Sequence, residues 1–170
     1  DSILIKGASS PEHLLDEVSL FIHCHESKFS SQQKKIMADL HDPKHGLKDK
    51  KVLLTDDDTR NSYALSKVLQ ESGMQVIIAE NGKVAIEKLE REKDIDIVLM
   101  DVMMPVMNGY EATTQIRNNK AHKELPIISL TAKAMPEDKA KSLEAGANDY
   151  LTKPVNVDKL LNLMRLWLLK

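Results

Sequence analysis

The chain has 170 residues, of which 42% are hydrophobic, and a formal net charge of −2. This composition excludes a disordered chain, and a charge near zero gives no reason to expect nucleic acid or a membrane surface as the main partner. The single cysteine, Cys24, excludes an internal disulfide and a cysteine-based zinc site, and it points to a reducing, cytoplasmic location.

The first 50 residues contain a strand pattern, two helix patterns and a polar stretch. We predict a strand at Ser2–Ile5, helices at Pro11–His23 and from about Ser31 to Leu40, and a linker from His41 to Lys50. Residues 3–22 resemble residues 150–168 in their apolar spacing and in a lysine that follows the strand. We therefore expect residues 1–25 to be the terminal βα unit of a preceding, similar domain and residues 26–50 to be a linker with a short helix. An ordinary βα unit is the alternative.

From Lys51 onward, apolar strand-like runs alternate with amphipathic helix patterns. The predicted elements are strands at Val52–Leu54, Val76–Ala79, Ile95–Met100, Ile127–Leu130 and Asp149–Thr152, and helices at about 60–72, 82–92, 109–117, 136–145 and 156–169. Uninterrupted apolar strands are typical of a parallel sheet that is covered on both faces. Short right-handed crossovers then predict an α/β fold with a doubly wound, five-stranded parallel sheet.

Polar residues follow four of the five predicted strands, at the points where the strands end. Asp56 and Asp57 follow the first strand, Asp101 the third, Thr131 the fourth and Lys153 the fifth. In an open parallel sheet, ligands bind beyond the carboxyl ends of the strands, where the strand order reverses. A strand order of 2-1-3-4-5 would bring the three carboxylates into one crevice and leave the second strand outside it.

Convergent carboxylates must hold either protons or a cation. Carboxylates with room for water and phosphate oxygens suit Mg²⁺. A lysine ammonium and a threonine hydroxyl beside an aspartate nucleophile complete the groups needed for phosphoryl transfer. Taken alone, Asp56 and Asp57 could simply cap a helix, but the matching Asp101 favours a site. For Asp58 we expect only the capping role.

Four motifs carry a family resemblance: VLLTDDD, DIVLMDVMMPVMNGYEA, ISLTAKA and DYLTKPV. Together they resemble the response-regulator receiver domain of two-component signalling over residues 51–170. The closest likeness is to the C-terminal receiver of a bacterial hybrid sensor histidine kinase. The resemblance implies the flavodoxin-like receiver fold with strand order 2-1-3-4-5.

The resemblance also implies roles for individual residues around the crevice. Asp101 would be the phosphoacceptor, while Asp56, Asp57, Asp101 and the backbone carbonyl of Met103 would bind Mg²⁺. Lys153 would pair with the acceptor and then with the phosphoryl group.

Further along the chain, the resemblance implies a conformational switch. Thr131 would be the switch hydroxyl and Tyr150 the switch aromatic residue, and the small Ala132 would keep the approach open to phosphate. The bond before Pro154 would be a cis peptide, a form almost confined to X–Pro bonds.

The implied function is a phosphorelay receiver that takes a phosphoryl group from a histidine kinase or a histidine phosphotransfer domain. Such a fragment would catalyse its own phosphorylation and dephosphorylation, within a parent that is a hybrid histidine kinase. No apolar run approaches the roughly 18 residues of a membrane span, so we expect no direct membrane contact in this fragment. This expectation is compatible with a membrane anchor elsewhere in the parent protein.

Two other functions compete with this prediction. The first is a Mg²⁺-dependent phosphohydrolase with an aspartate nucleophile, because TDDDTR begins like the haloacid dehalogenase signature. Arg60 breaks that signature, and about 120 residues leave no room for a cap domain. The second is an interaction module that has lost phosphorylation, which the complete set of Asp, Thr and Lys disfavours.

Overall fold

A computed structural model describes residues 46–92, 94–132 and 136–169, apart from the side chain of Pro136. The strand and the helices predicted before residue 41, and the linker as far as residue 45, lie outside these described residues. The proposed domain boundaries therefore stay predictions. Among the described residues, no helix is both long and apolar enough to span a membrane.

Within the described residues, five strands alternate with five α-helices. Their bounds are β1 Lys51–Thr55, α1 Thr59–Glu71, β2 Gln75–Ala79, α2 Gly82–Arg91, β3 Ile97–Asp101, α3 Gly109–Asn118, β4 Ile127–Thr131, α4 Pro136–Glu144, β5 Asp149–Thr152 and α5 Val157–Leu168, with a 3₁₀ turn at Lys120–His122. All neighbouring strands are parallel, in the order β2-β1-β3-β4-β5. The predicted sheet and its strand order are confirmed.

The sheet carries a hydrophobic core on each face. On one face α1 and α5 pack against the strands through Leu69, Leu160 and Met164. On the other face α2 and α3 contribute Leu89 and Ile116. Because strand side chains alternate between the two faces, strands covered on both sides must be apolar at nearly every position. This explains why the strands read as uninterrupted apolar runs.

The third strand begins later than its apolar pattern predicts, at Ile97 instead of Ile95. Asp96 is the reason, because its carboxylate accepts a hydrogen bond from Lys51 N at 2.8 Å and its own N–H donates to Lys51 O at 2.8 Å. Ile95 and Asp96 therefore precede the strand, and Asp96 is bound to the start of β1. Asp101, in turn, is the last residue of the strand and not the first residue after it.

Leu47 belongs to the core although it lies in a stretch whose sequence is polar. Its side chain is 0% exposed and packs in the same cluster as Leu69 and Leu160. The backbone nearby is fixed as well, since Asp49 N donates to Gly73 O at 2.8 Å. The residues just before β1 are thus an integral part of the domain.

Replacing Leu47 with alanine is expected to lower the free energy of unfolding by about 3 kcal/mol, because a fully buried leucine leaves a cavity behind. Urea denaturation would measure the change. Leu166→Ala is the matched control, since Leu166 is 57% exposed, and its effect should stay within about 0.5 kcal/mol. Equal effects of the two substitutions would contradict the buried position of Leu47.

Candidate functional site

The carboxyl edge of the sheet gathers the polar residues that follow the strands. Because β1 and β3 are neighbours in the sheet, Asp56 and Asp57 at the end of β1 lie beside Asp101 at the end of β3. Thr131 ends the next strand, and Lys153 follows β5, with its backbone N–H donating to Thr131 O at 2.7 Å. β2 stands outside this group, as the strand order predicts.

Lys153 joins two of the carboxylates. Its ammonium group lies 2.7 Å from Asp56 Oδ2 and 2.5 Å from Asp101 Oδ2. Asp56 is 4% exposed and Asp101 is 3% exposed, so both ion pairs are shielded from solvent. Buried charges are tolerated only when they are paired and hydrogen-bonded, and Lys153 supplies that pairing.

The other oxygen of each buried carboxylate is held by the local backbone. Asp56 Oδ1 accepts from Asp58 N at 2.9 Å, and Asp101 Oδ1 accepts from Met103 N at 3.1 Å. Ser62 braces the first loop by donating from its hydroxyl to Asp56 O at 3.2 Å. Each carboxylate is therefore fixed between its own loop and the shared lysine, which sets its orientation before any ligand arrives.

Asp58 has the capping role that the sequence predicts. It is the N-cap residue of α1, and its Oδ1 accepts from Arg60 N at 2.9 Å. The guanidinium of Arg60 also lies 2.9 Å from Asp58 Oδ2. The hydrogen bonds and the charge of Arg60 lower the pKa of Asp58 to about 2. Asp58 is thus engaged outside the carboxylate crevice.

Burial and charge act in opposite directions at the centre of the site. Burial raises the pKa of Asp101 above its ordinary value, although hydrogen bonds from Lys153 and Met103 N oppose the shift. Burial also disfavours the charged form of Lys153, but its hydrogen bonds to Asp101 and Asp56 outweigh this effect and raise the pKa of Lys153. The lysine therefore stays charged at neutral pH. At Asp101, the positive charge of Lys153 does not fully offset the effect of burial, so the pKa stays raised.

The three carboxylates suit a divalent cation. Asp56, Asp57 and Asp101 each offer an oxygen atom, and these atoms all lie within 4.8 Å of one another. Oxygen ligands of a single Mg²⁺ lie about 2.1 Å from the ion, so opposite ligands are about 4.2 Å apart, and bridging waters widen that range. Asp57 is exposed at the rim, which leaves one side of the cluster open to water. The residues present therefore fit Mg²⁺.

The remaining predicted residues lie around this cluster. The Met103 side chain is 63% exposed, Thr131 is 2% exposed, and Ala132 is exposed at the end of β4. Tyr150 is half-buried on the edge strand, and Lys139 Nζ lies 5.1 Å from the centroid of its ring. In the register of β4 and β5, Tyr150 pairs with Ser129, and Thr131 pairs with Thr152.

Two features of the backbone complete the site. The Lys153–Pro154 peptide is cis, as the resemblance implies. Gly109 is absent from the predicted site residues, yet a Cβ at this position would overlap the carbonyl oxygen of Asp101. The signal available in the sequence is an asparagine followed by glycine at a helix start. That pattern identifies the cap, Asn108, but not the close approach to Asp101.

Comparison with known proteins agrees with this geometry. The profile of the "Response regulator receiver domain" family matches residues 52–165, which is more than half of the chain. The chain belongs to this family. It is a receiver domain of two-component signalling, and hybrid histidine kinases are among its relatives.

The similarity to one such kinase is confined to a small segment of it. The chain is 41% identical over 112 residues to hybrid signal transduction histidine kinase I of Dictyostelium discoideum, and the match covers 62% of this chain. It spans only 6% of the length of the kinase. The likeness therefore concerns the receiver domain, and the activity of a whole parent protein is a matter for proposal.

Two solved structures are also similar. The first is the receiver domain of a sensor histidine kinase from Pseudomonas aeruginosa, with a magnesium ion coordinated in its active-site cleft (TM-score 0.67, 34% identity, covering 72% of this chain and 99% of that one). The second is the receiver domain of the Saccharomyces cerevisiae response regulator Ssk1, in a complex with the histidine phosphotransfer protein Ypd1 (TM-score 0.66, 31% identity, covering 71% of this chain and 89% of that one).

Proposed function

We propose that this receiver accepts a phosphoryl group from a phosphohistidine onto Asp101. The observation that carries the proposal is the position of Lys153, whose ammonium contacts both Asp56 and Asp101 beside a third carboxylate. Such a set neutralises the charge of a transferring phosphoryl group and keeps the acceptor oxygen in place. Asp101 is buried, so it is shielded from competing reactions at the surface.

A carboxylate oxygen of Asp101 forms a bond to phosphorus while the bond between the donor's imidazole nitrogen and phosphorus breaks, and the imidazole keeps the electron pair of that bond. The product is an acyl phosphate on Asp101. When bound by the three carboxylates, Mg²⁺ would supply further positive charge for the phosphate oxygens. Lys153 can shift its contact from the carboxylate to the new phosphoryl group.

The conformational readout is part of the same proposal. Thr131 ends β4 next to the acceptor strand and would donate its hydroxyl to the phosphoryl group. Tyr150 lies half-buried one strand further out and would respond to the movement of Thr131. The signal would pass to a histidine phosphotransfer partner or to the kinase core of a hybrid parent, in the cytoplasm. No described feature favours a phosphohydrolase, and the complete site disfavours a module that has lost phosphorylation.

The test is phosphorylation by acetyl phosphate, followed by intact-mass spectrometry. With Mg²⁺ present we expect a gain of about 80 Da, the mass of one phosphoryl group. In EDTA the gain should vanish, because the repulsion among carboxylate and phosphate charges is no longer offset. No gain in either condition, or an equal gain in both, would refute the proposal.

A further inference from the structure

A lysine of α4 lies over the ring of the half-buried tyrosine on the edge strand β5. Lys139 Nζ is 5.1 Å from the centroid of the Tyr150 ring. An ammonium group within about 6 Å of a ring centroid is attracted to the face of the ring. Within the described part of the chain, no carboxylate forms an ion pair with Lys139, although Glu137 and Asp138 lie in the first turn of the same helix. The ring is therefore the partner of this charge among those residues.

The ring of Tyr150 lies on the same face of the sheet as Thr131. Side chains alternate along a strand, and Leu130 and Leu151 pack into the core shared with α1 and α5. Ser129, Thr131 and Tyr150 therefore project from the opposite face. Tyr150 pairs with Ser129, which is two residues before the end of β4. A ring that turns towards Thr131 must accordingly move along the sheet, towards its carboxyl edge.

The charge of Lys139 distinguishes two positions of the ring. In the described position, which we call outward, Tyr150 is half-buried and Lys139 is exposed, so the ammonium contacts the ring while it keeps its hydration. In the inward position, the ring would lie towards Thr131, which is only 2% exposed. An ammonium group that followed the ring there would lose its hydration at a large cost. The contact is thus available to the outward ring alone.

We propose that Lys139 is a positioning residue that holds Tyr150 outward until Asp101 is phosphorylated. This inference rests on the proposed function and adds a residue that sets the resting equilibrium of its switch. A contact made in only one of two states shifts the equilibrium towards that state by the energy of the contact. Removing the charge of Lys139 should therefore raise the population of the inward ring by about threefold, the effect of a cation–π contact at an exposed site.

The experiment compares wild type with Lys139→Met, which keeps an unbranched apolar side chain without the charge. NMR of isotope-labelled tyrosine rings follows Tyr150, with Tyr150→Phe to assign its signal. Without phosphate, we expect the Tyr150 signal of Lys139→Met to lie closer than that of wild type to its position in protein phosphorylated by acetyl phosphate and Mg²⁺. Because the inward state is the one that phosphorylation favours, the rate of mass gain from acetyl phosphate should rise by about threefold.

Two control variants separate the ring contact from a general effect of charge. Lys139→Arg retains a cation that stacks on aromatic rings, so both measurements should stay within about twofold of wild type. Lys141→Met removes the charge of an exposed lysine two positions further along α4, which does not share the face of Lys139. It should leave the Tyr150 signal and the labelling rate unchanged.

A Tyr150 signal in Lys139→Met that coincides with that of wild type would overturn the inference. So would a labelling rate that rises equally in Lys141→Met, or a rise that persists when Lys139→Met is combined with Tyr150→Leu, because the charge would then act without the ring. No labelling of wild type would instead refute the proposed function, and with it the switch that Lys139 would bias.

Discussion

The Asp101→Asn variant is expected to gain no mass from acetyl phosphate and Mg²⁺, whereas wild type gains about 80 Da. Asparagine keeps the shape of the side chain but lacks the anionic oxygen that would form the new bond to phosphorus in the proposed reaction. Asp101 is also the carboxylate that contacts Lys153 at 2.5 Å and is one of the three carboxylates that could hold a metal ion. The substitution would therefore remove the proposed nucleophile and one of the proposed metal ligands together.

Asp58→Asn is the matched control for this loss. Asp58 is the residue next to the acidic pair, but it caps α1 and pairs with Arg60 at 2.9 Å. Amide oxygens also cap helices, so α1 should still form, and labelling should stay within about twofold of wild type. A comparable loss in both variants would show that negative charge near the crevice, and not Asp101 itself, controls the reaction.

The pH dependence of stability tests whether Asp101 binds its proton more tightly in the folded state than in the unfolded state. Burial raises the pKa of Asp101 in the folded state. Its contribution to stability is therefore complete below the pKa of an unfolded aspartate, about 3.9, and is lost as the pH rises through the raised folded value. In metal-free buffer, the stability of Asp101→Asn relative to wild type should thus increase between about pH 4 and pH 7. Urea midpoints at the two pH values check this, and a decrease would contradict it.

Gly109→Ala is expected to destabilise the domain by about 3 kcal/mol, since the added Cβ meets backbone and not a movable side chain. It would overlap the carbonyl oxygen of Asp101 and lie 2.9 Å from the Asp101 carbonyl carbon and from Val102 Cα. Either α3 or the end of β3 must then move. Because Asp101 is the residue displaced, the rate of labelling by acetyl phosphate should fall as well.

Glu111→Ala on the same helix gives the comparison for this glycine. Glu111 is exposed, so the change introduces alanine without touching the acceptor strand, and stability should change by less than about 0.5 kcal/mol. Denaturation in urea and the rate of mass gain measure the two effects. A Gly109→Ala variant with wild-type stability would mean that the contact between α3 and Asp101 is looser than described.

The sequence determined the parts of this protein that depend on local pattern. Apolar runs such as Ile97 to Met100 specify buried parallel strands because both faces of the sheet must exclude water. Polar residues placed directly after such runs, such as Asp101 and Lys153, are brought to one edge by parallel pairing alone. Asp58 is a cap for the same local reason, since its side chain reaches only the next turn.

The tertiary structure decided what depends on contacts between distant segments. Leu47 lies in a polar stretch, and only the packing of α1 and α5 explains its complete burial. The contact of Lys153 with Asp56 and Asp101 joins residues 97 and 52 positions apart. The closeness of Gly109 to Asp101 and the positive φ of Val106 follow from the way one loop closes between β3, α3 and α2. Periodicity reports which side of an element is buried, but it carries no information about which distant atom lies against it.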